Sequence, residues 1–301
     1  MARSTIVSRK QRLTLAFGLY LAPAVCAFLL FKYWPFFSSL ILSFFRWNFV
    51  SSMRWVGVEN YVEMAKREAF VRALKNTFLY IFGLFPFFGI LPLTFAVALE
   101  GIRSRKVRDF VKALVFVPSI LSFAVICLVW MWMFNPEFGV FNNLIRLFGG
   151  KGFAWLSDSR TAMLSIILVS GWKNIGANMI LFFAGLACIP RECVEAATID
   201  GASRWQVFWK IKWPLLAPTT IYVVVTSAIF AAERAFIPIN ILTKGGPANA
   251  TTNLSHIIYV FGFEFFNIGL ASATAIVTSV MFLIITRALL RLSGGFGYYE
   301  N

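Results

Sequence analysis

Apolar positions along this chain come in runs too long for the alternation of a half-buried strand or the single stripe of a surface helix. Five stretches, Leu13 to Phe31, Asn76 to Leu99, Ala113 to Pro136, Trp213 to Ala232 and Phe265 to Thr286, hold no Asp, Glu, Lys or Arg. A sixth, about Thr161 to Ile189, is interrupted only by Lys173. A helix needs about 20 apolar residues to cross the hydrocarbon core of a bilayer, where every backbone polar group has to be satisfied internally. The pattern predicts an all-α, polytopic membrane protein with six transmembrane helices, at about 13–34, 76–99, 113–136, 161–189, 213–240 and 265–290. Six is even, so both termini fall on one side.

Lys and Arg assign that side. With the N-terminus inside, the inner segments 1–12, 100–112, 188–216 and the tail after 286 carry 15 basic residues, and the outer segments 46–75, 135–160 and 241–268 carry 10. Short inner loops count most, and Arg3, Arg9, Lys10 and Arg12 precede the first run while Arg103, Arg105, Lys106 and Arg108 follow the second. An N-in, C-in topology is expected. The first apolar run is longer than the core of a signal peptide and continues into Tyr33, Trp34 and Pro35, so cleavage is not expected. No short repeat or low-complexity linker marks a second domain, and residues 1–301 read as one membrane domain.

Composition changes the picture by exclusion. The chain is 59% hydrophobic and 14% charged, with 34 Phe and 10 Trp, against roughly 25% charged residues in soluble domains. A water-soluble enzyme is excluded. The net charge of +15 is scattered among neutral stretches and reads as orientation signal, with no nucleic-acid partner. Cys26 and Cys127 lie in apolar runs and Cys188 and Cys193 in an inner loop, which makes no disulfide framework. A lone histidine, His256, excludes a two-histidine zinc motif within the chain, and no metal site is expected. Lys32 and Arg287, near span ends, are placed to snorkel to head groups.

The inner connection Pro190 to Pro218, PRECVEAATIDGASRWQVFWKIKWPLLAP, is too long for a plain loop in so compact a chain. Pro190, the acidic Glu192 and Glu195, and small Ala196 and Ala197 predict a short helix that Asp200-Gly201 ends. Trp205, Phe208, Trp209 and Lys212 then recur at helical spacing, and Pro214 is expected to close the segment. The residues alone leave two readings open: a projecting lever, or an amphipathic hairpin lying on lipid with its tryptophans at the interface.

Glu195-Ala196-Ala197, Gly201 after three intervening residues, then Ile211 and Pro214-Leu215, resembles the EAA signature of permease subunits in binding-protein-dependent ATP-binding-cassette importers. Asp200, Ala202, Phe208 and Pro218 fit the same pattern. A second block, Leu242-Thr243-Lys244-Gly245-Gly246-Pro247-Ala248 through Leu254, with Tyr259, Gly262-Phe263, Gly269 and Ala271-Ser272-Ala273, is similar to the outer loop and last span of the carbohydrate and sn-glycerol-3-phosphate branch. The resemblance covers about residues 13–290. It implies a cytoplasmic coupling-helix loop over 190–216, in which Glu195, Ala196, Ala197, Asp200, Gly201, Ala202, Ile211 and Pro214 engage a cytoplasmic ATPase dimer. It also implies a second six-span permease as heterodimer partner, a periplasmic or lipid-anchored solute-binding protein facing 46–75 and 241–268, and a bacterial cytoplasmic (inner) membrane location. ATP and Mg would be bound by the ATPase, with no cofactor on this chain; Lys244-Gly245-Gly246 lacks the Gly-x4-Gly-Lys spacing of a phosphate loop.

Charge inside a span is costly and points to function. Lys173, Glu233 and Arg234 are such charges, and the family places solute contacts in these same stretches, so Trp172, Lys173, Asn174, Asn178, Glu233 and Arg234 are the candidates for lining a pathway. Aromatic faces and amide or charged groups suit sugars and polyols, and Arg234 favours an anionic or phosphorylated solute. Two alternatives stay open at this level: the cations pair with Glu233 or a partner permease as structural glue, or the chain is an ion-coupled secondary transporter with midplane charges. A membrane-embedded enzyme lacks the His or Asp beside Cys26 and Cys127 that catalysis would need.

Overall fold

The computed structural model describes residue 17 and residues 19–293. The basic cluster before the first span, residues 13–16 of that span, and the tail beyond 293 lie outside the described residues. Four described helices are long and apolar enough to cross a membrane: α1 (Leu19–Leu42), α3 (Glu68–Glu100), α7 (Ala162–Ala187) and a last one, Ile268–Arg291. Two helix pairs pass the same test only when taken together, α4 (Arg105–Ile120) with α5 (Phe123–Met133), bent by 97°, and α9 (Arg204–Leu215) with α10 (Ala217–Arg234), bent by 65°. Short helices fill the connections: α2 (Glu59–Lys66), α6 (Val140–Leu147), α8 (Arg191–Ile199), α11 (Phe236–Leu242) and α12 (Leu254–Glu264), followed by α13 (Ile268–Ser293).

The breaks fall at prolines. Pro118 sits inside α4 and gives no N–H to the turn before it, and the helix stops two residues later. The expected straight span 113–136 is therefore two helices. The expected span 213–240 is likewise divided, at Leu216 beside Pro218 and again at Ala235. Elsewhere prolines are absorbed without a break. Three π-helical turns, Leu29–Tyr33, Pro86–Ile90 and Phe208–Lys212, each stand immediately before a Pro in the same register, Pro35, Pro92 and Pro214. Each widened turn adds a residue ahead of the ring, which moves aside the carbonyl four residues back that the ring would otherwise strike.

The contacts divide the chain into two compact units. One holds the described residues up to Met64 with Val260–Val277. No residue of the apolar window of α1 is buried within the chain. After it, a two-stranded antiparallel hairpin pairs Phe45 with Trp55 and Arg46 with Arg54. Buried Asn60 donates from Nδ2 to the carbonyls of Ser43 at 2.8 Å and Phe45 at 2.9 Å. The other unit, Ala65–Tyr259 with the residues from Thr278, is built around α7. One core there joins Tyr80, Leu84, Ile126, Cys127, Phe134, Ile166 and Ile239; another joins Ala96, Leu99, Met179, Phe182, Leu216 and Val223. At Gly176 α7 packs closely on α4, since a Cβ there would collide with the Val115 carbonyl oxygen.

Candidate functional site

The hairpin after α7 is held by backbone chemistry at both sides of its turn. α8 ends on Asp200, and Gly201 follows with φ +80°, the left-handed conformation that L side chains resist. The Gly201 N–H donates to Thr198 O at 3.1 Å and the Ala202 N–H to Ala197 O at 3.0 Å, which closes a Schellman motif. One residue on, Ser203 opens α9 with a capping box: its Oγ accepts from the Gln206 N–H at 3.3 Å, and Gln206 Oε1 accepts from the Ser203 N–H at 2.8 Å. A Cβ on Gly201 would touch nothing within 4 Å, so glycine is needed there for its backbone angle and not for space.

Glu195, Ala196, Asp200 and Gly201 are exposed, Ala197 and Ala202 are half-buried, and Ile211 is half-buried on the second arm. Pro214 does not close that arm. The helix runs through it to Leu215 because the π turn at Phe208–Lys212 has already shifted the register. Trp205, Trp209 and Trp213 form a ladder with ring centroids 5.5 and 5.7 Å apart. Behind α8 lies a polar groove of about 360 Å³ lined by Glu100, Arg108, Arg191, Glu195 and Lys212 over Leu186 and Ile189. Lys212 Nζ reaches both oxygens of Glu100, at 2.6 and 2.7 Å, tying the second arm to the end of α3. Sequence reasoning missed this strut and the capping box. The Ser-x-x-Gln spacing of the box was visible; the partner of Lys212 is 112 residues away and gave no signal.

The six pathway candidates go to different places. Lys173, 5% exposed, donates from Nζ to the carbonyls of Pro118 at 3.3 Å, Ser119 at 3.0 Å and Leu121 at 2.8 Å. These are carbonyls at the end of α4, which have no helical partner. Ser119 Oγ returns a bond to the Lys173 carbonyl at 2.8 Å. Asn178 Nδ2 donates to Phe88 O at 3.0 Å, the carbonyl four residues before Pro92 that Pro92 has no N–H to meet, and lies 3.4 Å from Ser227 Oγ. Asn174 Nδ2 donates to Ser170 O of its own helix at 2.7 Å. Trp172, 38% exposed, packs edge-on against Trp130 and lines an apolar cavity of about 330 Å³ beside α5.

Glu233 and Arg234 are exposed at the C-terminal end of α10, where a cation is favourable, and the Arg234 guanidinium lies 5.1 Å from the Phe230 ring centre. Among the described residues no ion pair joins Glu233 to Lys173 or Arg234. His256 is buried beside Phe236, with ring centres 6.2 Å apart. The outer loop before it is tied to α3, where Asn76 Nδ2 donates to Asn249 O and Thr252 O, and Arg72 to Ala248 O.

The described helices thus include several long and apolar enough to cross a membrane, and the connection after α7 is a helix–glycine–helix hairpin capped on both sides of its turn. The family of binding-protein-dependent transport system inner membrane components matches residues 13–294, and the chain belongs to it. It is 32% identical over 271 residues to the sn-glycerol-3-phosphate transport system permease protein UgpA of Agrobacterium fabrum, covering 89% of this chain and 91% of that protein. The probable ABC transporter permease protein YurN of Bacillus subtilis is 38% identical over 276 residues, covering 90% and 92%. A chain of a bacterial ABC transporter involved in the import of the acidic polysaccharide alginate has the same fold, with 25% identity, a TM-score of 0.85 and coverage of 97% of this chain and 99% of that one. A bacterial alginate ABC transporter in complex with an alginate pentasaccharide-bound periplasmic protein matches with a TM-score of 0.83 at 25% identity over 95% and 96%. The chain is a multi-pass ABC importer permease of the carbohydrate and sn-glycerol-3-phosphate branch, a transport component.

Proposed function

We propose that this chain forms half of the translocation pathway for a sugar, polyol or glycerol-3-phosphate-like solute, and that residues 190–216 couple it to ATP hydrolysis on a separate ATPase dimer. The observation that carries this is the hairpin turn, capped on both sides and presenting Glu195 and Ala196 to the outside. A lever that transmits force needs a fixed angle, and a Schellman motif followed at once by a capping box supplies one. In this reading each bent pair is a single crossing, giving six spans with both termini inside. Its partners are a second six-span permease and a solute-binding protein that docks on 46–75 and 241–268. ATP and Mg stay with the ATPase, in the bacterial inner membrane. For the pathway, Trp172, Glu233 and Arg234 are the exposed candidates, whereas Lys173 and Asn178 have their donors committed to backbone.

The test is reconstitution of the chain with its ATPase, second permease and binding protein, comparing Gly201→Asp and Glu195→Lys with the parent. Both variants are expected to insert and assemble while solute-stimulated ATP hydrolysis and uptake are lost. Normal uptake by both would overturn the coupling role. Uptake driven by an ion gradient with no ATPase present would overturn the importer reading in favour of a secondary transporter.

A further inference from the structure

Helix α6 is amphipathic the wrong way round for a segment bathed in water. Val140, Leu144, Leu147 and Phe148 recur at i, i+4, i+7 and i+8 and form one stripe, which faces outward: Phe148 is 91% exposed and Leu147 79%. Away from the stripe one polar side chain is buried, while Asn143 and Arg146 stay exposed. Asn142, 1% exposed, donates to Pro136 O and Phe153 O and accepts from the Phe153 N–H and the Trp155 indole N–H. Arg146 turns its guanidinium back onto the carbonyls of Glu137 and Pro136, both at 2.7 Å. The helix is fixed at both ends, so the stripe is not a frayed edge. At its start, Asn135 Oδ1 accepts from the N–H groups of Glu137 and Phe138; at its end Gly149, φ +78°, and Gly150 close a Schellman motif onto Arg146 O and Ile145 O.

We infer that α6 lies flat on the bilayer surface with Val140, Leu144, Leu147 and Phe148 dipped into lipid. The inference rests on the membrane-spanning reading of the chain. Three observations choose lipid over a docking protein. The stripe contains no charged or hydrogen-bonding side chain, whereas transient protein interfaces are about as polar as the rest of a surface. A binding protein that docks and leaves would return a nearly bare Phe to water in every cycle, which lipid does not. The stripe also continues a lipid-facing surface. α5 is FAVICLVWMWM, without one charged residue, and the Gly139 N–H donates to Asn135 O at 3.0 Å, so the chain turns where the apolar run ends. Exposed Trp132 at the end of α5 packs on Phe138 at 6.0 Å, two aromatics at the level where a span meets head groups.

The test uses the full chain with Cys26, Cys127, Cys188 and Cys193 replaced, and single cysteines at Leu144→Cys, Phe148→Cys and Asn143→Cys carrying an environment-sensitive NBD fluorophore. The protein is reconstituted alone into vesicles of phosphatidylethanolamine and phosphatidylglycerol. Labels at 144 and 148 are expected to be quenched several-fold more than the label at 143 by lipids with a doxyl group near the head group, and several-fold less by aqueous iodide. Equal iodide quenching at all three positions overturns the inference. Protection from iodide without doxyl quenching at 144 and 148 also overturns it, in favour of a second copy of the chain. A fourth label, at exposed Leu283 in α13, separates the premise: if mid-chain doxyl lipids fail to quench it, the membrane-spanning reading has failed and not the placement of α6.

Discussion

Lys173 directs its ammonium at carbonyls and not at a carboxylate. A lysine in a span invites a functional reading because the charge is costly there, yet three carbonyl oxygens at the end of α4 equally need a donor, and one Nζ serves all three. Asn178 does the same for the carbonyl that Pro92 leaves four residues behind. Polar residues of α7 thus complete backbones that prolines have interrupted in its neighbours. Lys173→Met keeps much of the volume and removes the donor, leaving buried carbonyls unpaired at a cost of about 2–3 kcal/mol. It is expected to lower the thermal unfolding midpoint of the purified chain in detergent, with Lys173→Arg losing less. A midpoint unchanged in Lys173→Met would show that the bend holds without the ammonium.

At the scale of elements, the apolar runs were legible and their shape was not. Span 161–189 emerges as α7, Ala162–Ala187, and span 76–99 lies within α3, because a long apolar run with at most one charge is a strong signal. The 97° break in the third run was hidden. Pro118 looks like Pro92 or Pro214 in sequence, and only the local turn decides whether a proline is absorbed by a widened π turn or ends the helix. The hairpin turn was legible for the opposite reason, since Asp200-Gly201 states a backbone conformation, although the Ser203–Gln206 cap beside it was missed. What sequence could not show was what lies across from the second arm. Glu100 and Lys212 join α3 to α9 while partly exposed, a pair with only ~1 kcal/mol to offer. Glu100→Lys and Lys212→Glu are each expected to weaken coupling, read as less ATP hydrolysed per solute-loaded binding protein, and the double exchange to restore it. Failure of the exchange to restore coupling, with both singles impaired, would assign the two residues separate roles.

For the whole molecule, the open question is what separates the charges left for the solute from those that hold the chain together. The net charge is +15, but most cations lie outside the apolar runs, and Lys173 is committed to the carbonyls at the α4 end. Glu233 and Arg234 remain exposed together at the end of α10, and next to one another they contribute no net charge to attract an anion from a distance. In the proposed pathway role Arg234 would therefore act by direct contact, since a planar guanidinium can pair with a phosphate or carboxylate through two parallel bonds. A charge-assisted hydrogen bond contributes about 1.5–3 kcal/mol, roughly tenfold or more in affinity. In the reconstituted complex with one fixed binding protein, Arg234→Gln is expected to lower the stimulation of ATP hydrolysis by a phosphorylated or acidic solute about tenfold. Stimulation by a neutral sugar is expected to change little. An equal fall with both solutes would make Arg234 a structural residue seated on Phe230; no fall with either would place the choice of solute in the binding protein.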